Sequence, residues 1–240
     1  MEQINHFERL MAQIRQENAI GVIKRFSYTE AMPVDKALEL VTALGKRREP
    51  RFVIDDNNRF AYENIIKWLI GDQSMKALSS DGRSTVNGDM RKGIFLAGPP
   101  GTGKTFAMTV LREFAQLCGI SFSNGYKKRP LAWEDYHASE MVDNFLAKGN
   151  CYGADDLVIP SLCVQDLGTE ALESVYMGNR IQVLRKEIEM RADNGAYFTS
   201  FTSNYRMGSD YIRNAYGDRV ASRLYAMCNY FEIGGNDRRR

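Results

Sequence analysis

The sequence has few of the residues that form metal sites or disulfide bonds. Among its 240 residues there are only two histidines and four cysteines. The cysteines, Cys118, Cys151, Cys163 and Cys228, are far apart and form no C-x-x-C pair. A zinc site or a disulfide framework is therefore not expected, and isolated thiols are the simpler interpretation.

Long apolar segments and a strong charge of one sign are missing as well. No apolar run approaches the length of a membrane span, and the first residues lack the basic and apolar regions of a signal peptide, so we expect a cytoplasmic protein without membrane contact. The net charge of +2 leaves nucleic acid contacts to local basic patches. Two runs qualify, Lys127-Lys128-Arg129 and Arg238-Arg239-Arg240, although such runs are usually solvated surface.

The sequence does contain a phosphate-binding loop between a predicted strand and a predicted helix. Residues 98–105 read Gly-Pro-Pro-Gly-Thr-Gly-Lys-Thr, which matches G-x-x-x-x-G-K-[ST]. The apolar run Gly93–Ala97 predicts a buried parallel strand, and helical spacing predicts a helix over Thr105–Cys118. Lys104 is expected at the β- and γ-phosphates of ATP, and the Thr105 hydroxyl on Mg²⁺. The residues expected to bind nucleotide are Gly98, Pro99, Pro100, Gly101, Thr102, Gly103, Lys104, Thr105 and Phe106.

The segment before residue 49 is predicted to be helical. Apolar residues recur at three- and four-residue steps over residues 4–14, and a second helix is predicted over Val34–Leu44, between Pro33 and Gly45. Residues 46–50 are interpreted as a linker. Two short helices bury little surface alone. They either pack on the main domain or form an arm that docks a partner, and the pattern favours neither.

The rest of the chain alternates between helices and strands. Helices are predicted at Asn57–Ile70, Ser139–Leu146 and Ile181–Arg191, and strands at Leu131–Trp133, Leu162–Val164, Ala196–Thr202 and Tyr230–Ile233. The polar stretch Ser79–Asp89 predicts an exposed loop. This alternation predicts an α/β fold with a parallel sheet covered by helices on both faces.

Four motifs occur in a fixed order along the chain. They are the phosphate-binding loop, Gln165-Asp166-Leu167-Gly168, Thr202-Ser203-Asn204, and residues 217–224, which read G-D-R-V-A-S-R-L. In this order they resemble the DnaC/IstB-like group of AAA+ ATPases, the helicase loaders and transposition regulators. The resemblance covers about residues 52–233. It implies a three-layer P-loop AAA+ core with a parallel sheet and no C-terminal lid domain, as an AAA+ ATPase domain at 49–240, after a small helical partner-binding region at 1–48.

The resemblance also implies roles for single residues. Aligned on Gly168, Gln165 stands where the family has a metal-associated Asp, and Asp166 stands at the water-activating acid. Asp166 therefore either serves the metal, which leaves hydrolysis slow, or acts as the base while Mg²⁺ rests on Thr105 and the phosphates. Asn204 resembles the sensor residue near the γ-phosphate, and its alternative is a turn residue after a strand.

Two arginines in the last motif are spaced to share one helix face. The resemblance implies that Arg223, or else Arg219, is an arginine finger that reaches the nucleotide of the neighbouring subunit. That role requires a homo-oligomer, as a ring or spiral. The alternative is a solvated pair beside Asp218.

The function implied is that of an ATPase in DNA replication, with ATP and Mg²⁺ as ligands. We expect a helicase loader that assembles on single-stranded DNA and delivers a replicative helicase. A transposition regulator, which binds duplex DNA and recruits a transposase, is one alternative. The other is an ATP-binding switch with little hydrolysis.

Overall fold

A computed structural model describes residues 24–26, 32–123, 128–153, 159, 161–194 and 198–239. The helices are α1 Val34–Arg48, α2 Arg59–Ile70, α3 Lys104–Leu117, α4 Ala138–Lys148, α5 Val183–Asn194, α6 Asp210–Tyr216 and α7 Asp218–Met227. The strands are β1 Lys24–Phe26, β2 Lys76–Leu78, β3 Thr85–Asn87, β4 Gly93–Ala97, β5 Ser121–Ser123, β6 Lys128–Pro130, β7 Glu134–His137, β8 Ser161–Leu167, β9 Ser174–Tyr176, β10 Asn179–Ile181, β11 Phe198–Ser203 and β12 Cys228–Glu232. The helix predicted at 4–14, Lys127 and Arg240 lie outside the described residues.

A seven-stranded sheet forms the centre of the fold, in the order β3-β2-β12-β4-β11-β8-β7. The five strands from β12 to β7 are parallel, and β2 and β3 add an antiparallel edge. β4, which leads into the phosphate-binding loop, lies between β12 and β11. Residues that follow the carboxyl ends of β4, β11, β8 and β7 therefore meet at one edge of the sheet.

The side chains of β4 alternate between two apolar cores. Ile94 and Leu96 belong to the core that contains α1, α2 and α3, whereas Phe95 and Ala97 belong to the core that contains α4 to α7. All five residues of β4 are buried. The predicted α/β architecture, with a mostly parallel sheet between two helical layers, is therefore confirmed. Among the helices described, none combines the length and the apolar character that crossing a membrane would require.

The predicted end of the second helix is wrong, because α1 continues to Arg48. Gly45, interpreted as the residue after the helix, is buried inside it. A Cβ on Gly45 would lie 2.1 Å from the ring of Phe52. The glycine therefore makes room for an aromatic ring and does not terminate the helix. The residues interpreted as a linker, 46–50, include the last turn of α1.

α1 packs on the main domain. Val41 and Leu44 are buried in the core shared with α2 and α3. Arg48 Nε lies 2.8 Å from Glu113 Oε2 of α3, and Arg47 pairs with the same carboxylate. Of the two alternatives for the N-terminal region, α1 follows the first. The domain division at residue 48 stays a prediction.

Three further predictions of local structure are wrong. The loop predicted at 79–89 contains β3, which pairs with β2. The strand predicted at 131–133 forms no ladder, although Leu131 and Trp133 are buried. Lys24–Phe26, in the segment predicted to be helical, is β1 and pairs with β5. Local patterns fail here because strand pairing depends on distant partners, and a short buried apolar run does not by itself indicate a strand.

Candidate nucleotide-binding site

A cavity of about 890 Å³ lies at the carboxyl edge of the sheet. This volume suits a nucleotide-sized ligand. Its lining includes residues 100–106 of the loop and α3, Asp166 in β8 and Asn204 after β11. Three of the four motifs therefore border one space. Gly98 and Pro99 lie outside the lining, and their carbonyls bind the side chain of Lys104.

The loop adopts its shape because of its glycines. Gly101 and Gly103 have φ of 80° and 94°, in the left-handed region that only glycine occupies without strain. The Thr102 hydroxyl donates to the Pro99 carbonyl at 2.8 Å and tightens the turn. α3 begins directly after this loop, at Lys104. The partial positive charge of the helix N-terminus is thus added to the cavity.

Lys104 is held by uncharged acceptors. Its Nζ donates to the carbonyls of Gly98 and Pro99 at 2.8 and 3.0 Å, and to Asn204 Oδ1 at 2.8 Å. The side chain is nearly buried, and burial lowers the pKa of Lys104, while Asp166 opposes this effect and Arg239 adds to it. Because a buried ammonium lacks a full counter-charge here, an anion in the cavity would be strongly stabilised.

Asp166 is aimed into the cavity by a bulge in β8. Phe201 of β11 pairs with Val164, and Ser203 pairs with Leu167, so β8 contains one residue more than β11 in this interval. Asp166 has φ of 57°, an uncommon conformation that aspartate tolerates better than most residues. Strain of this kind is often found at functional positions. Because of the bulge, the side chain of Asp166 departs from the alternation of side chains along β8, and its carboxylate faces the cavity.

His137 is a neighbour of Asp166 that the sequence analysis missed. It is the last residue of β7, and its Nε2 lies 3.3 Å from Asp166 Oδ2. Its Nδ1 lies 2.8 Å from the Ser139 hydroxyl, which fixes the ring. The sequence pattern does not reveal His137, because it predicts the strand at 131–133 and not at Glu134–His137. With β7 correctly placed beside β8, a polar residue at its carboxyl end would have been a candidate.

Gln165 belongs to a buried polar network and not to the cavity. Its Nε2 donates to Asp135 Oδ1 at 2.8 Å, and its Oε1 accepts from the Thr202 hydroxyl at 2.9 Å. Arg112 lies 2.6 Å from the other oxygen of Asp135. The amide at position 165 therefore matches a carboxylate on the next strand. This contact accounts for the amide at position 165, where the corresponding motif of the DnaC/IstB-like group has an acid.

The donor set at the cavity fits Mg²⁺. The Thr105 hydroxyl and the Asp166 carboxylate both belong to the lining. Mg²⁺ is usually held by one or two carboxylates together with substrate phosphates, so a dedicated protein cage is not needed. Within the part of the chain that the structure describes, no group of three or more acidic, His or Cys side chains could hold a metal.

The cavity also has an aromatic side that the sequence analysis missed. Phe52 and Tyr62 line it together with Phe106, and their ring centroids lie 5.2 Å (Phe52–Phe106) and 5.7 Å (Phe52–Tyr62) apart. Phe52 and Tyr62 precede the motif by about forty residues, and the helical pattern around Tyr62 indicates only burial. Arg238 and Arg239 line the cavity as well. In the sequence they are recognisable only as part of the basic run Arg238-Arg239-Arg240.

The two arginines of the last motif lie on α7, outside the cavity lining of their own chain. Arg223 is largely covered, pairs with Asp193 and donates to the Glu189 carbonyl at 3.3 Å. Arg219 is 65% exposed, and its Nε lies 3.8 Å from Glu189 Oε1. The predicted shared helix is confirmed. The finger role of either residue stays a prediction.

Comparison with known proteins gives matches only among solved structures. No family model matches the chain, and neither does any curated protein. The structure is similar to that of a DnaC helicase loader, with 19% identity over 77% of this chain and 94% of the other and a TM-score of 0.46. It is also similar to AMPPCP-bound DnaA from Aquifex aeolicus, with 20% identity over 76% of this chain and 48% of the other and a TM-score of 0.43. A third similar structure is that of a replication initiator DnaA bound to AMPPCP and single-stranded DNA, with 18% identity over 78% of this chain and 49% of the other and a TM-score of 0.47.

These three proteins are AAA+ replication ATPases. At such identities the likeness concerns the fold alone.

Proposed function

We propose that this chain is an ATP-dependent DNA replication protein that loads a replicative helicase onto single-stranded DNA. The observation that carries the ATP part is the convergence of Lys104, Asp166 and Asn204 on one cavity. The three residues come from three strand ends of a parallel sheet. A polyphosphate would exchange the uncharged acceptors of Lys104 for charged oxygens, which form stronger hydrogen bonds.

The aromatic side of the cavity supports a nucleoside triphosphate over a simple polyphosphate. Phe52, Tyr62 and Phe106 form an apolar aromatic wall of mutually inclined rings, against which a purine base can pack. Phe106 follows the loop directly, so base and phosphates would occupy adjacent parts of one site.

For hydrolysis, Asp166 accepts a proton from the attacking water, and Asn204 orients that water. His137 holds the Asp166 carboxylate at 3.3 Å and restricts its movement. Lys104 binds and orients the phosphates. Mg²⁺, held by Thr105 and Asp166, would neutralise phosphate charge when bound. Since Gln165 lies outside the cavity, one carboxylate serves both the metal and the water, so we expect slow turnover.

Assembly would complete the site with an arginine from the next subunit. Of the two candidates, Arg219 is the better one in this structure, because it is exposed and its ion pair with Glu189 is long. Arg223 is engaged with α5 of its own chain. A homo-oligomer with Arg219 at the subunit interface is therefore part of the proposal.

The test of ATP binding is titration of the purified protein with ATP by calorimetry. Lys104→Ala should weaken binding about a hundredfold, because a buried charged hydrogen-bond donor is lost. Lys148→Ala is the matched control, since Lys148 also donates to a backbone carbonyl (Gly153, at 2.9 Å) but lies away from the cavity. Equal ATP affinity in the two variants would contradict the assignment of the cavity.

The test of helicase loading is capture of partners from the source cell, with Lys104→Ala as the control bait. ATP-dependent recovery of a hexameric helicase supports the proposal. Recovery of a transposase favours the transposition regulator, which shares the motif order. Recovery of neither contradicts both.

A further inference from the structure

Residues 233–239 run from the end of β12 along the phosphate-binding loop. The Ile233 N–H donates to the Ala97 carbonyl at 2.8 Å, and the Gly234 N–H donates to the Asn57 carbonyl at 3.0 Å. Further on, the Arg238 N–H donates to the Gly101 carbonyl at 2.9 Å. This segment, which we call the 233–239 strap, therefore bridges the loop and the turn before α2.

The strap and the loop are in close contact. A Cβ on Gly98 would lie 2.1 Å from the Ile233 carbonyl oxygen, and one on Gly101 would lie 2.2 Å from the Asp237 carboxylate. The glycines of the loop thus leave room for the strap on one side as well as for phosphates on the other. Such a close approach fixes the position of the strap relative to the phosphate site.

The two arginines of the strap have different surroundings. Arg238 Nη2 lies 2.9 and 2.8 Å from the two carboxylate oxygens of Asp55, so its guanidinium is an anchor. The Arg239 side chain lines the cavity and is 73% exposed. Its Nε lies 3.4 Å from Asp237 Oδ1, an exposed ion pair of small stabilising value.

Arg239 and Lys104 bring two positive charges to one space. The positive charge of Arg239 acts with burial to lower the pKa of Lys104, so the two cations repel each other. An arrangement of this kind is stabilised by an anion between the two groups. The guanidinium has several N–H donors in a fork that matches two phosphate oxygens.

We propose that Arg239 binds the phosphates of the nucleotide held by its own subunit, and that Arg238 and Asp55 position it. This inference rests on the proposed function, because it assumes ATP in the cavity. It assigns to the strap a binding residue that none of the four motifs contains. Arg239 acts within one chain, unlike an arginine supplied by a neighbour.

The experiment compares ATP and adenosine binding to three variants at protein concentrations where the chain is monomeric. Arg239→Ala should weaken ATP binding about tenfold and leave adenosine binding, followed by ligand-observed NMR, unchanged. Arg239→Lys should retain part of the ATP affinity, since it keeps the charge without the fork. Arg91→Ala is the matched control and should bind both ligands like wild type.

Arg91 is suited to this purpose because its local contacts copy those of Arg239. Its N–H and Nε lie 2.9 and 3.0 Å from Asp89 Oδ1, two residues earlier, and its side chain is 70% exposed. Arg239 relates to Asp237 in the same way, with the N–H at 3.0 Å. Arg91 does not line the cavity.

Each other outcome identifies which idea fails. Wild-type ATP affinity in Arg239→Ala would overturn the inference and leave the proposed function intact, provided that Lys104→Ala loses ATP. Equal weakening of ATP and adenosine would also overturn it, because it would indicate a merely structural role. Absence of ATP binding by the wild-type protein would overturn both.

Discussion

The phosphate-binding cavity and the arginine face of α7 stabilise their cations in different ways. In the cavity, Lys104 donates to two carbonyls and an amide, all uncharged. On α7, Arg223 pairs with Asp193, and Arg219 lies near Glu189, both on α5. A cation with only neutral acceptors favours an incoming anion, whereas a cation already paired must first lose its partner. One region is thus prepared for phosphate within a single chain, and the other requires a neighbour to reorganise it.

The largest expected effect tests the part of the ATP site that a neighbouring subunit would supply. Arg219→Ala should lower the ATP turnover of the assembled protein about a thousandfold, because an arginine finger stabilises charge on the transferring phosphoryl group. ATP affinity should stay close to wild type. Steady-state phosphate release and calorimetry measure the two quantities.

The matched control for this variant is Arg185→Ala. Arg185 lies 3.6 Å from the same Glu189 oxygen that Arg219 approaches, so both variants remove one ion pair from one carboxylate. Unchanged turnover in Arg219→Ala would remove Arg219 from the site. Mixing Arg219→Ala subunits with subunits that carry Asp166→Asn should restore part of the activity, since each supplies what the other lacks.

The second effect tests the half that lies within one chain. Asp166→Asn should lower turnover about a hundredfold or more, because the base is lost, while ATP binding is retained. Asparagine also tolerates the left-handed conformation at this position, so the bulge in β8 should persist. Single-turnover hydrolysis with saturating ATP measures the chemical step, and a wild-type rate would place the base elsewhere, with His137 as the nearest candidate.

The parts of the site that could be predicted are those whose information is local. The loop at 98–105 combines a complete motif with an apolar strand before it and a helical pattern after it, and each of these is legible within about ten residues. Asp166 and Asn204 could be assigned because the motifs that contain them occur in the order of the DnaC/IstB-like group, which the sequence resembles. Neither inference required knowledge of a distant partner.

The parts that could not be predicted depend on tertiary contacts. Gly45 has the appearance of a helix stop, and only the position of Phe52 explains it. The bulge at Asp166 depends on the register between β8 and β11. Arg239 belongs to a run of basic residues, and such runs usually lie on the solvated surface. Only the hydrogen bonds of the strap bring Arg239 to the cavity.

The third effect concerns stability at the boundary of the cavity. Gln165→Asp should lower the free energy of unfolding by about 2 kcal/mol or more, because a second buried carboxylate would face Asp135 and the donated hydrogen bond would be lost. Gln165→Asn is the matched control, since it has the same shape as the aspartate without its charge. Urea unfolding of the two variants measures the difference.

The comparison between Gln165→Asp and Gln165→Asn isolates the charge. If the two variants unfold at the same urea concentration, Asp135 does not determine the residue at position 165. If Gln165→Asp is the less stable of the two, adding Asp135→Asn should recover part of the loss.

The smallest expected effect is the pH dependence of ATP affinity, which distinguishes the titratable Lys104 from an arginine. Burial lowers the pKa of Lys104 below its ordinary value of 10.5, and Arg239 lowers it further, whereas Asp166 opposes them. The protonated form binds phosphate, so ATP affinity should fall as the pH rises through the lowered pKa, by at most tenfold per pH unit.

The pH dependence of folding stability has the opposite sign. The unfolded chain binds more protons than the folded one in the interval between the lowered pKa and 10.5, so the cost of burying the charged lysine decreases as the pH rises.

Lys104→Arg is the control for the titration of ATP affinity against pH, because a guanidinium keeps its charge throughout this range. The affinity of this variant should stay constant over the pH range in which that of the wild-type protein declines. A wild-type profile as flat as that of Lys104→Arg would mean that the charge at position 104 does not titrate in this range, and the contrast between a poorly neutralised lysine in the cavity and the paired arginines of α7 would be lost.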